Sequence, residues 1–388
     1  MIPRLLEEVI ISRLLSSGKI ILLLGARQVG KTTLLTHIEH ACKAKGKRVL
    51  YLNCDIDEEK AAINTTSRAI IEQLTANIDI MLIDEAQGLD NPGLTLKNIH
   101  VIAPHVKIMA TGSSSFELKN KLSDPLTGRY LDFMLYPLSF AEILFAHQKS
   151  FIDIVSRNRA DAILPSVLLY GLYPEVYMKN NPTEKQALLE RLVDSYLFRD
   201  VLTFQRVKNA QAIKNLTRAL AYQIGSEVNE NELANRLKID RKTVISYLEV
   251  LEKSFIIARV HPFSKNPRRE IGRNYKVYFI DLGIRNALIG DFNQVELRAD
   301  IGSLWENFLF IERMKHFANK DQLLQKYFWR SYGGAEVDYI EKSPSVEMKA
   351  FEFKHKTGSL SKGAKSFTNE YKSKVFLINK DNYLDFIL

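Results

Sequence analysis

Cysteine is almost missing: Cys42 and Cys54 are the only two thiols in 388 residues. Two cysteines cannot build a disulfide framework, and free thiols in a reducing cytosol are the expected state. No apolar run approaches the ~20 residues that cross a bilayer. The longest, Ile20–Leu24, is strand-sized. The N-terminus lacks the apolar core and cleavage site of a signal peptide. A soluble, cytoplasmic protein with no membrane partner is therefore expected. No internal repeat is present, and the eight histidines show no metal-ligand spacing.

Hydrophobic residues at 46% and charged residues at 26% exclude disorder for the bulk of the chain. The length suggests two or three domains. Lys and Arg number 54 against 45 acids, a net charge of +9, which favours an anionic partner but does not bear on fold.

Short apolar runs occur at residues 20–24, 49–52, 78–83 and 106–110, with helical patterns between them. Such runs argue for a parallel sheet covered on both faces. Ligands of such sheets bind beyond the carboxyl ends of the strands, and each run here ends in residues able to do chemistry. Residues 146–225 read as helical. Residues 226–285 read as helix, turn, helix and two strands, and residues 290–388 as a helix at 303–316 followed by strands.

The first run ends in Gly25-Ala26-Arg27-Gln28-Val29-Gly30-Lys31-Thr32, which fits G-x-x-x-x-G-K-[ST], and Thr33 continues into a helix. Strand, loop and helix are the context this motif needs. Glycines let backbone N–H groups turn toward phosphates, and the helix N-terminus adds its dipole. Lys31 can reach the β- and γ-phosphates of ATP, and Thr32 can ligate Mg²⁺. The third run ends in Asp84-Glu85. Asp84 is expected to hold the metal from a neighbouring strand, and Glu85 to act as general base on the attacking water. At the end of the fourth run, Ser113 is placed as a hydroxyl that senses the γ-phosphate. Arg129 is placed as an arginine that touches it, in cis or from a neighbouring subunit. The second option requires a homo-oligomer.

In the helix-turn-helix segment, residues 232–237 form the first helix and residues 241–253 the second, with Asp240 as N-cap. Arg241, Lys242, Thr243 and Ser246 lie where a recognition helix meets DNA. Residues 255–260 and 275–279 could form a wing, with 265–269 at its tip. Residues 205–276 hold 15 Lys and Arg against 7 acids, almost the whole positive excess of the chain, which suits DNA contact.

Farther on, Glu306 sits on a helix, Asp338 on a strand, and Glu352-Phe353-Lys354 on the next strand. An acid, a second acid and a Glu-x-Lys pair can hold Mg²⁺ for phosphodiester cleavage. Glu347-Met348-Lys349 is a competing Glu-x-Lys, and Glu336 is placed on the face opposite Asp338.

The strings Gly25-Ala-Arg-Gln-Val-Gly-Lys-Thr-Thr33, Leu82-Ile-Asp-Glu-Ala-Gln87, Thr111-Gly-Ser113, Gly128-Arg-Tyr130 and Tyr136-Pro-Leu-Ser139 resemble prokaryotic AAA-type ATPases. These carry a C-terminal domain of unknown function related to restriction endonucleases. Gly171-Leu-Tyr-Pro-Glu175, Tyr278-Phe-Ile-Asp-Leu-Gly283 and Trp305-Glu-Asn307 extend the likeness over nearly the whole chain. The resemblance implies ATP and Mg²⁺ binding. It also implies metal ligation by Asp338 and Glu352, a third acid in Glu306, and Lys354 as charge stabiliser. Val337 departs from it, standing where the motif often has proline.

The expected architecture is an α/β AAA-type P-loop ATPase core (1–145), a helical lid (146–225), a winged helix-turn-helix (226–285) and a restriction-endonuclease-like α/β domain (290–388). The expected function is a Mg²⁺-dependent ATPase that couples nucleotide state to a DNA-associated or partner-binding module. An ATP-regulated nuclease and a nucleotide-controlled protein switch remain as alternatives.

Overall fold

Five short strands build the first sheet: Ile20–Leu24 (β1), Val49–Asn53 (β2), Ile80–Asp84 (β3), Lys107–Gly112 (β4) and Tyr130–Met134 (β5). Their order is β2-β3-β4-β1-β5, and every neighbouring pair is parallel. β1 and β3 are buried along their whole length, because helices cover both faces. Burying each of these Ile and Leu side chains contributes about 1.5–3 kcal/mol. The helices of this unit include Leu6–Ser16 (α1), Lys31–Ala44 (α2), Asp57–Ile63 (α3), Arg68–Thr75 (α4) and Pro92–Ile102 (α5). α2 follows β1 directly and turns Leu34, Leu35, Ile38 and Cys42 inward. α5 starts on Pro92 and is capped by Asn91, whose side chain accepts from the Leu94 N–H at 3.2 Å.

The computed structural model describes residues 2–112, 128–145, 154–197, 201–202, 207, 209–264, 274–331, 333–343, 346–356 and 358–388. The chain divides into two compact units, residues 1–137 with 318–321, and residues 138–317 with 322–388.

The second unit opens with helices, among them Ile154–Tyr170 (α6), Pro182–Arg191 (α7) and Ala210–Tyr222 (α8). Glu230–Leu237 (α9) and Arg241–Lys253 (α10) follow, then Leu282–Ile289 (α11), Ile301–Asn319 (α12) and Lys362–Tyr371 (α13). Asp240 holds the N-cap position of α10 but makes no side-chain cap bond, unlike the expectation. α9 is capped by Asn229, whose side-chain oxygen accepts from the N–H groups of Asn231 and Glu232. Val244, Leu248 and Leu251 of α10 are buried, as their helical spacing predicts.

The strands of this unit are Glu227–Val228 (β6), Ile257–Pro262 (β7), Tyr275–Phe279 (β8), Gln325–Arg330 (β9), Glu336–Ser343 (β10), Val346–Phe353 (β11) and Val375–Ile378 (β12). They form one sheet in the order β12-β11-β10-β9-β7-β8-β6. The hairpin after the helix-turn-helix is thus joined to the C-terminal strands. β7 pairs in parallel with β9, His261 opposite Tyr327 and Pro262 opposite Phe328. Residues 226–285 and 290–388, expected as two domains, share this sheet.

Two of the sequence strings meet here. The Asp281 carboxylate accepts from the Leu172 N–H at 2.7 Å and caps α11 through the Ile284 N–H at 3.1 Å. Gly171 has φ +68°, and a Cβ there would collide with the same carboxylate. Gly283 lies so close to the Tyr170 carbonyl that a side chain would overlap it. These residues join α6 to α11, which explains them by packing without recourse to chemistry.

Candidate nucleotide site

The loop from Gly25 to Gly30 leaves the carboxyl end of β1 and enters α2. A Cβ on Gly25 would strike the Leu135 carbonyl, so glycine is required by this close approach. Gly30 has φ +96°, a left-handed conformation open to glycine, and α2 starts there with no side-chain cap. The first N–H groups of a helix have no intrahelical partner. In a 14-residue helix they carry the positive end of its dipole. Val29 is buried and anchors the loop, while Arg27, Gln28, Thr32 and Thr33 are exposed.

Lys31 is only 4% exposed. Its ammonium donates to the Gly25 carbonyl at 3.1 Å and the Ala26 carbonyl at 2.9 Å. Arg4 clamps the loop from outside. One Nη donates to the Val29 carbonyl and the other to the Tyr136 carbonyl, both at 2.7 Å.

Asp84 ends β3 and is 1% exposed. β3 is not the hydrogen-bonded neighbour of β1, contrary to the expectation, because β4 lies between them. The consequence is chemical. Ile83 pairs with Ala110, and Thr111 pairs with Leu23, so one row across the sheet runs from Asp84 through Thr111 toward the phosphate loop. The Thr111 hydroxyl donates to Asp84 Oδ1 and accepts the Glu85 N–H at 3.0 Å. Tyr51 on β2 donates to Asp84 Oδ2 at 3.1 Å. Burial and the Asp84 charge push the Tyr51 hydroxyl well above its ordinary range, so it stays a donor. Both of these side-chain donors are neutral hydroxyls.

Glu85 stands in the left-handed region at φ 50°, rare for a residue with a Cβ. Its carboxylate accepts from Gln87 Nε2. The structure therefore gathers Gly25, Ala26, Val29, Gly30, Lys31, Thr32, Asp84 and Glu85 at one edge of the sheet. The donor set fits a magnesium-bound nucleotide: uncapped helix N–H groups and an ammonium for phosphate, a hydroxyl and a carboxylate for the cation.

Arg129 is placed elsewhere. It precedes β5, and its carbonyl accepts from Ile20 N–H at 2.9 Å. Tyr130 pairs with Ile20, the first residue of β1. At about 3.3 Å per residue, four further residues separate that level from the end of β1. Arg129 is therefore exposed at the amino end of the sheet, away from the phosphate loop. Ser113 lies outside the described residues, as does the basic tip at 265–269. The sequence does not single out Tyr51 or Arg4, and Thr111 stands in it only as the first hydroxyl of the Thr111-Gly-Ser113 string. Thr111 carries the one available signal, a hydroxyl at the last turn of an apolar run.

The AAA domain family model matches residues 17–144. Residues 17–144 are an AAA domain. Two domains of unknown function follow this AAA domain, DUF8612 over residues 162–295 and DUF4143 over residues 301–384. An uncharacterized protein of Haemophilus influenzae is 28% identical over 303 residues, 75% of this chain and 73% of that protein. Another, from Methanocaldococcus jannaschii, is 26% identical over 341 residues, 83% of this chain and 72% of that protein. A solved structure of the replication initiator DnaA bound to AMPPCP and single-stranded DNA aligns at TM-score 0.29 and 17% identity. That alignment covers 64% of this chain and 86% of DnaA.

In the second unit, Glu306 of α12, Asp338 of β10, and Glu352 and Lys354 at the end of β11 do come together. The register pairs Tyr339 with Phe351, so Asp338 lies across from Glu352, which selects Glu352-Phe-Lys354 over the competing pair at 347–349. Glu336 shares a face with Asp338, correcting the expectation, since residues two apart on a strand point the same way. Both face Lys276 of β8. Among the described residues, no group of three or more His, Cys, Asp or Glu side chains is arranged to hold a metal ion.

Proposed function

We propose that the chain is a Mg²⁺-dependent ATPase whose nucleotide state is passed to a DNA-associated or partner-binding module. The observation that supports this most is the row from Asp84 through Thr111 to the phosphate loop. It sets an anionic metal holder, a polar relay and a cationic phosphate cradle at one sheet edge. Magnesium, when bound, would supply charge neutralisation on the β- and γ-phosphates. Thr32 and Asp84 would hold it, Asp84 directly or through water. Lys31 exchanges its loop carbonyls for phosphate oxygens, and Glu85 orients and deprotonates the attacking water. Ser113 is assigned to sensing the terminal phosphate.

Arg129, given its place at the amino end of β5, is assigned to the site of a neighbouring copy rather than its own, which makes the working form a homo-oligomer. The DNA reading is supported by the exposed Arg241 and Lys242 on the opening turn of α10, although Arg241 is already paired with Glu230 at 2.8 Å. The nuclease alternative gains nothing from the acid cluster, each of whose carboxylates is held by a donor of the chain.

The test is ATP binding and turnover in two variants. Glu85→Gln should keep ATP affinity and lose turnover, whereas Lys31→Ala should lose binding. Parental hydrolysis by Glu85→Gln would remove the assigned base. DNA affinity should fall with salt at a log–log slope of about −0.9 per phosphate engaged. No binding, or a flat response, would favour the protein-partner switch.

A further inference from the structure

The resemblance to metal-dependent nucleases implies a divalent cation at Glu306, Asp338 and Glu352, and the residues present do not fit one. Each carboxylate is already used by a donor of the chain. Glu306 Oε1 accepts from Lys276 Nζ at 2.8 Å and from the Tyr278 hydroxyl at 2.6 Å. Asp338 Oδ2 accepts the Phe353 N–H at 2.7 Å. Glu352 Oε2 accepts the Ser361 N–H at 2.9 Å, and its Oε1 faces Lys354 Nζ at 3.0 Å.

The central group is Lys276, 2% exposed and on a fully buried strand. Its ammonium also pairs with Glu336 and lies within electrostatic reach of Asp338. A lysine this deep loses its hydration and would shed its proton, but the surrounding carboxylates hold the charge on it. Backbone pairing fixes where it stands: β8 is bonded on one side to β7 and on the other to β6. Here a cation of the chain stands among the carboxylates.

We propose that Lys276 is the resident cation of this acid cluster, so that the cluster takes no divalent metal while Lys276 is in place. A divalent ion would have to displace an ammonium tethered to a strand bonded on both sides, or bear its repulsion at close range. The helix-turn-helix hairpin thereby locks a nuclease-like centre in a metal-free form.

The test uses the full chain without nucleotide. Mn²⁺ binding is followed by electron paramagnetic resonance, and the melting temperature is measured with and without Mn²⁺. The parental protein should show no saturable Mn²⁺ binding that Asp338→Asn removes, and no Mn²⁺-dependent nicking of supercoiled DNA. Lys276→Met should gain a saturable Mn²⁺ site and melt higher with Mn²⁺ than without. A second change, Glu306→Gln, should abolish both gains. Lys276→Arg, which keeps the cation, should stay silent. Saturable binding by the parental protein that Asp338→Asn removes would overturn the proposal, and that measurement needs no destabilising variant. So would a folded Lys276→Met chain as silent as the parent.

Discussion

The Asp84 carboxylate draws on three strands at once: its own, Tyr51 on β2 and Thr111 on β4. Thr111 is the member whose loss is cleanest, because valine has nearly its shape and only the hydroxyl goes. A hydrogen bond to a charged group is worth about 1.5–3 kcal/mol. Thr111→Val should therefore leave ATP affinity near the parental value and lower kcat by about ten- to a hundredfold. Steady-state kinetics beside equilibrium nucleotide binding reads this directly, and parental kcat would show that Thr111 only packs. Asp338 offers a pH readout. Burial first, then the charge of Glu306, raises its carboxyl to about 7. Between the ordinary carboxylate range and pH 7, the folded chain keeps a proton that the unfolded chain has released. Stability should thus fall as pH rises through that window. Asp338→Asn should flatten the fall and be the more stable chain at pH 8 in thermal melts. An unchanged pH profile would place the titration elsewhere. Lys31, Thr32, Asp84 and Glu85 are legible as candidates because their motifs fix both spacing and context. Thr111 and Lys276 are not, because their roles depend on which strands become neighbours, and no local pattern carries that.

Elements followed local pattern where burial was one-sided or complete. The continuous apolar runs became β1 and β3, and the spacing of Val244, Leu248 and Leu251 became the inner face of α10. β5 escaped notice because Asp132 is exposed and the strand is an edge, so its apolar signal is diluted. Asn307 shows how an element is fixed from its side. From α12 its side-chain oxygen accepts the Phe279 N–H at 2.7 Å, and its amide donates to the Phe279 carbonyl at 2.8 Å. One asparagine thus does for the end of β8 what a further strand would do. Asn307→Leu removes both bonds and leaves two buried backbone groups unsatisfied. A loss of about 2–5 kcal/mol is expected. Denaturant unfolding measures it, and a loss below about 0.5 kcal/mol would mean that water or a shifted helix replaces the asparagine.

At the scale of the second unit, the decisive pairing is the least local one. His261 and Pro262 on β7 meet Tyr327 and Phe328 on β9, across the intervening helices α11 and α12. Parallel pairing between segments so far apart leaves no turn signature, so the sequence reads the hairpin and the C-terminal strands as separate modules. Three further ties cross the same seam: Lys276 to Glu306 and Glu336, Asn307 to Phe279, and Arg330 to Glu227 at 3.2 Å. Elements held by a common sheet and by buried ion pairs open together, whereas modules joined only by chain open independently. In native-state hydrogen exchange on the full chain, the β8 amides of Val277 and Phe279 should open with the same free energy as those of Ile340 and Ala350. Lys276→Met should lower that shared value for both groups at once. If the hairpin exchanged well before the C-terminal strands, the seam would be a contact between independent domains. A nucleotide signal of the kind proposed above would then have to reach the helix-turn-helix without moving the acid cluster.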